Sequence, residues 1–238
     1  MTRAHPFAPP PAAERDDTCG AVMDWGRTAR VGLPEAVYAP GKTAAQVDAI
    51  VAQALDLGER LLITGLDADK HAALADASRT RLDYHPRSRT AILGAIETPA
   101  EAAVAVVTGG LADLPVAEEA IRTLAFSGVG ATCFGDVGVA GLWRLLDRID
   151  EIRRFSVVIA VAGMEGALFS VLAGLIPQPI VALPASVGRG VAAGGRVALE
   201  SALASCAPGL VAVNIDNGFG AAQAALRILR VGRSDPRP

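Results

Sequence analysis

Cysteine, one-sided charge and long apolar runs are all scarce in this chain, and each shortage removes a class of protein. Only Cys19, Cys133 and Cys206 are present, an odd number without CxxC spacing, which argues against a disulfide framework or a zinc site and for a reducing, cytoplasmic setting. The formal net charge is −3 and the 22 Lys and Arg residues are scattered. No footprint for nucleic acid or an anionic membrane is therefore expected, and a small molecule is the expected partner. The opening MTRAHPFAPPPAAERDD has no apolar core of signal-peptide length, and every later apolar run is broken by Gly, Pro or charge before it could span a bilayer. Neither secretion nor membrane insertion is expected. What is abundant is apolar residue: 51% of 238 residues are hydrophobic against 20% charged, enough for one large core or two smaller ones.

The apolar residues divide the chain into three parts. Residues 1–23, rich in Pro and Ala at their start, have few large groups to bury and are expected to form a disordered tail. Residues 24–101 read as a small N-terminal α/β module. It opens on a basic, turn-rich stretch, DWGRTARVGLPEAVYAPGKT. AAQVDAIVAQALDL then has helical spacing and stops at Gly58, a C-cap residue, and RLLIT and TAILGA read as short strands. Residues 102–238 alternate short unbroken apolar runs, AAVAVVTGG, VGATCF, FSVVIAVAG, PIVALP and GLVAVNI, with longer segments of helical period. Strands that are apolar on both faces belong to a parallel sheet covered by helices, so a doubly wound α/β domain is expected.

In such a domain ligands gather outside the carboxyl ends of the strands. The turns there are expected to converge on one site and bring Thr108, Gly109, Asp113, Asp136, Gly138, Gly163, Met164, Pro184, Ser186, Val187, Gly188, Asn214, Asp216, Asn217, Gly218 and Phe219 to a substrate. Helix N-termini behind Gly-rich loops hold phosphate, and Asp113, Asp136 and Asp216 could accept from ribose hydroxyls, so a phosphorylated or nucleotide ligand is expected. No single loop matches the P-loop or the complete dinucleotide fingerprint. Cys206 and Glu165 stay open on residues alone. A thiol near a helix end is as well read as a small buried apolar group, and a Glu at a helix start as a partner for the helix dipole. Cys133 falls within a strand and is expected to be buried.

The segments VVTGGLADLPVAEEA, DVGVAGLWRLL, VVIAVAGMEGALFSVLAG, ALPASVGRG and SCAPGLVAVNIDNGFGA, together with DWGRTARVGLPEAVYAPGKTAAQ near the start, resemble the successive signatures of the LarB family. That family is the carboxylase/hydrolase of nickel-pincer nucleotide cofactor synthesis. Its C-terminal half is similar to PurE, a carboxyaminoimidazole ribonucleotide mutase with a flavodoxin-like sheet and octameric assembly. The resemblance implies a homo-octamer that carboxylates the pyridinium ring of nicotinic acid adenine dinucleotide with CO2 or bicarbonate. It also implies cleavage of the phosphoanhydride to release AMP and leave pyridinium-3,5-biscarboxylic acid mononucleotide. Cys206 matches the family's thiol nucleophile and Glu165 its acid/base. Mg2+ is the metal that anhydride hydrolysis could use, and no tightly bound organic cofactor is expected.

Arg27, Arg30 and Lys42, cations in a stretch too polar for a core, are expected to close over the dinucleotide. The chain departs from the family pattern at Ala112, Trp143, Phe169 and Arg189, with Ser186 and Arg189 as candidates to replace a lost phosphate contact. A nucleotide-binding protein that has lost turnover is the alternative. A divergent paralogue acting on a related pyridine or purine nucleotide and an aminoimidazole ribonucleotide carboxylase-like enzyme are further alternatives. A purine mutase is disfavoured, because Ala167 stands where PurE would need a histidine.

Overall fold

The computed structural model describes residues 21–96, 99 and 101–231, so most of the expected N-terminal tail, with Cys19, lies outside the described residues. The chain folds as two compact units that divide between Ala95 and Ile96.

The first unit runs α1 (Arg27–Val31), β1 (Ala36–Tyr38), α2 (Ala44–Leu57), β2 (Leu61–Thr64), α3 (Ala68–Ala72), α4 (Asp76–Arg79), β3 (Leu82–His85) and β4 (Thr90–Leu93). Its sheet has the order β1-β2-β4-β3, with β1 parallel to β2 and the other pairs antiparallel. Thr43 caps α2 in a reciprocal box with Gln46, Gly58 closes it at φ 69°, and Val47, Ile50, Val51 and Ala54 form its buried stripe. The two expected strands and this helix are present. The short β1 and β3 escape a reading based on apolar runs, because β3 carries Asp83 and His85 and gains its order by pairing with β4.

The second unit consists of β5 (Ala102–Thr108), α5 (Leu114–Phe126), β6 (Gly130–Phe134), α6 (Leu142–Leu146), α7 (Ile149–Ile152), β7 (Val157–Ala162), α8 (Ala167–Leu175), β8 (Ile180–Pro184), α9 (Arg196–Ala204), β9 (Leu210–Ala212) and α10 (Gly218–Arg230). All five strands are parallel, in the order β6-β5-β7-β8-β9. This is the doubly wound, flavodoxin-like order 2-1-3-4-5. Every residue of β7 and β8 is buried, as their unbroken apolar sequence requires.

Ala105, Val107, Val158, Ala160 and Ala182 meet Leu145, Leu168, Phe169, Leu172 and Ala198 of the helices on one face, while α5 and α10 pack together on the other. Gly218 lets those two helices touch, since a Cβ there would stand 2.6 Å from the Val116 carbonyl oxygen. Cys133 corrects the expectation of burial: it is exposed on β6, which among the described residues is an edge strand paired with β5. Among the described residues no helix is long and apolar enough to cross a membrane.

Candidate functional site

In the strand order 2-1-3-4-5 the connections from β5 and β7 leave toward opposite faces, opening a crevice at their carboxyl ends. A pocket of about 540 Å³ lies there, formed by the turns after β5, β6, β7 and β8. Its walls depend on backbones that approach too closely for side chains. A Cβ on Gly138 would stand 2.5 Å from the Gly109 carbonyl oxygen, and one on Gly163 would overlap the Val187 carbonyl. Gly163→Ala is therefore expected to lower the urea midpoint by the equivalent of about 1–3 kcal/mol and to abolish ligand binding. An unchanged midpoint with full binding would contradict the close approach.

Asp113 braces this construction. Its carboxylate accepts from Gly110 N–H at 2.8 Å and from Gly163 N–H at 3.2 Å, joining the turns after β5 and β7. Only 5% of the residue is exposed, and burial holds its carboxyl above the usual 3.8 although the loop N–H groups pull the other way. A folded-state value above the unfolded one gives stability that is complete below about 3.8 and is lost as pH rises through the raised value. Asp113→Asn should remove that slope from a urea-midpoint profile over the acidic range. Identical slopes in parent and variant would contradict the assignment.

Backbone strain marks the same edge. Asp136, Met164 and Asp216 adopt φ of 56°, 51° and 55° in the turns after β6, β7 and β9, a conformation that non-glycine residues adopt at a cost. At Met164 this conformation, with Met164 N–H donating to Val187 O at 3.2 Å, leaves Glu165 exposed on the pocket wall ahead of α8. Glu165 thus sits in the turn, two residues before the helix begins at Ala167. The first turn of α8 also lines the pocket and directs its positive end there.

Nine of the expected residues line this pocket: Gly109, Asp113, Gly138, Gly163, Met164, Glu165, Val187, Gly188 and Arg189. Thr108 lies beneath it, buried, with Oγ1 accepting from Asp136 N–H at 3.1 Å. The three aspartates expected to meet ribose have partners within the chain. Asp113 takes loop N–H groups, Asp136 pairs with Arg144 at 2.9 Å, and Asp216 accepts from Ser186 N–H at 2.7 Å while its own N–H donates to the buried Pro184 O at 2.9 Å.

Asn214, Asn217, Gly218 and Phe219 are placed outside the pocket wall. Asn214 Oδ1 accepts from Ile215 N–H, Asn217 caps α10 through Gly220 N–H, and Phe219 N–H donates to Glu119 Oε1. In the first unit Arg30 pairs with Asp24, Arg27 N–H donates to Asp24 O at 3.0 Å, and Lys42 Nζ donates to Tyr38 O at 3.0 Å.

Cys206 is not brought to Glu165 within one chain. It is exposed in the turn between α9 and β9, ahead of Leu210. Since β9 runs parallel to β8, that turn is at the amino end of the strands. The five residues of β8 set the separation of the two edges at roughly 16 Å.

Arg144 is the charged pocket residue that the sequence reading missed. Asp136 holds it through Nη1, Gly138 O accepts from Nη2 at 3.5 Å, and a Cβ at Gly141 would meet Nε at 3.0 Å. The available signal was an aspartate in a glycine-rich turn with an arginine eight residues later, where a helix starts.

The model of the LarB/PurE-like N-terminal domain matches residues 15–95, and that of AIR carboxylase matches residues 103–237. The chain belongs to the LarB family. Its second unit is the PurE-like half, and the family's chemistry is carboxylation. The uncharacterized protein MJ0165 of Methanocaldococcus jannaschii is 37% identical over 213 residues, covering 84% of this chain and 80% of that protein. A crystal structure of a PurE2 variant from Treponema denticola overlaps 54% of this chain and 80% of its own, at 22% identity and a TM-score of 0.42.

Proposed function

We propose that this LarB-family protein carboxylates the pyridinium ring of nicotinic acid adenine dinucleotide and hydrolyses its phosphoanhydride, releasing AMP and pyridinium-3,5-biscarboxylic acid mononucleotide. The observation that carries this reading is Glu165 on the wall of the carboxyl-edge pocket, which the first turn of α8 and Arg144 also line. A general base, a helix dipole and a guanidinium are what a proton-abstracting step on a phosphorylated substrate requires.

The electron balance explains the need for a thiol. A pyridinium carbon is too electron-poor to attack CO2. Addition of the Cys206 thiolate beside position 5 forms a C–S bond and sends a ring electron pair to nitrogen, giving an electron-rich dihydropyridine. Carbon 5 then bonds to CO2, Glu165 takes the proton from that carbon, and the C–S bond breaks as the ring regains aromaticity. Hydrolysis of the anhydride consumes one water, and Arg144 offsets the charge on the phosphate.

Because Cys206 stands at the far edge of its own sheet, the thiol comes from a second copy in the homo-octamer that the family resemblance implies. Among the described residues no group of three or more His, Cys, Asp or Glu gathers that could hold a metal ion.

Incubation with the dinucleotide, bicarbonate and Mg2+ should give AMP and a carboxylated mononucleotide by mass spectrometry. The distance of Cys206 from the pocket also favours a second reading, a nucleotide-binding protein without turnover. Binding of the dinucleotide with neither product would decide for it.

A further inference from the structure

Charge in the pocket is unevenly compensated. Asp136 holds Arg144, and Asp113 is committed to loop N–H groups. Arg189 lines the same pocket, but no ion pair or side-chain hydrogen bond engages it among the described residues. A guanidinium presents five N–H donors in a planar fork and stays charged, so an unpaired one in a concave site is a receptor for a planar anion.

The position of Arg189 says which anion. The pocket spans the ends of β6, β5, β7 and β8, with Arg144 following β6 and Arg189 following β8. These two strands lie three strand spacings apart, roughly 14 Å, and Arg189 is exposed on the pocket wall. Glu165 lies nearer the Arg189 end: Met164 N–H donates to Val187 O at 3.2 Å, tying the turn of the base to the turn of the arginine. A ring whose proton goes to Glu165 therefore sits beside Arg189.

We propose that Arg189 binds the carboxylate carried by the pyridine ring, so that the pocket selects nicotinate nucleotides over nicotinamide nucleotides. The inference rests on the pyridine-nucleotide reading above. A carboxylate accepts two parallel N–H bonds from the fork, whereas an amide offers one acceptor and turns an NH2 donor against the guanidinium.

Calorimetric titration of the whole protein with nicotinic acid mononucleotide and with nicotinamide mononucleotide tests it without turnover. The parent should bind the acid at least about tenfold more tightly than the amide. Arg189→Gln should lose that preference through a fall of about 10- to 100-fold for the acid alone. Arg189→Lys, which keeps charge but not the fork, should recover part of it. An undiminished preference in Arg189→Gln overturns the proposal, as do equal affinities for the two nucleotides in the parent protein. Failure of the parent to bind either at millimolar concentration overturns the pyridine-nucleotide reading together with it.

Discussion

Cys206→Ala is expected to reduce carboxylation by more than about 10³-fold while leaving the protein folded and able to bind the dinucleotide. The loss follows from chemistry rather than packing, because the thiol is exposed and an exposed Cys→Ala change alters stability by only about 0.5 kcal/mol. The second thiol described, Cys133, is also exposed, but on the β6 edge of the sheet, and Cys133→Ala should be active. Anhydride cleavage needs water and charge stabilisation but no nucleophilic sulfur, so Cys206→Ala should still release AMP slowly. Mass spectrometry separates the two outcomes within one reaction mixture. Carboxylation at the parental rate would remove Cys206 from the mechanism and leave the ring without a nucleophile.

The second unit was the most legible part of the fold. Residues such as Val158–Val161 and Ile180–Leu183 are apolar without alternation because both faces are covered. That pattern survives in the sequence with no knowledge of the helices that do the covering. β1 and β3 were illegible for the opposite reason: strands of three and four residues with exposed positions are ordered by their neighbours.

Within the site, the turns could be placed because turns follow strands, and nine expected residues do line the pocket. What spacing could not supply was the destination of each polar group. Asp113, Asp136 and Asp216 have the composition of ligand-binding residues, yet their carboxylates hold the turns that shape the pocket. Asn217 likewise serves as an N-cap. Cys206 shows the limit most plainly. Its sequence neighbours suggest a shared site with NIDNGFG, but three residues of β9 separate them and place them at opposite ends of the sheet.

That separation leads to the second large effect. Glu165→Gln should lower carboxylation by about 10²- to 10⁴-fold, the usual worth of a positioned base. It should also accumulate the sulfur adduct, because thiolate addition precedes proton removal, and a dihydropyridine absorbance would report it. Glu165→Gln and Cys206→Ala are each inactive alone, but they break different contributors to one site.

If the thiol crosses from a second copy, co-assembly of equal amounts of the two variants places an intact Glu165 opposite an intact Cys206 in about a quarter of sites. Activity should then return to roughly that fraction of the parental rate. Were both groups drawn from one chain, no mixture of the two variants could regenerate a working site. Mixed assemblies that stay inactive, with co-assembly verified by mass, would therefore reject the shared site even if each single variant behaved as expected.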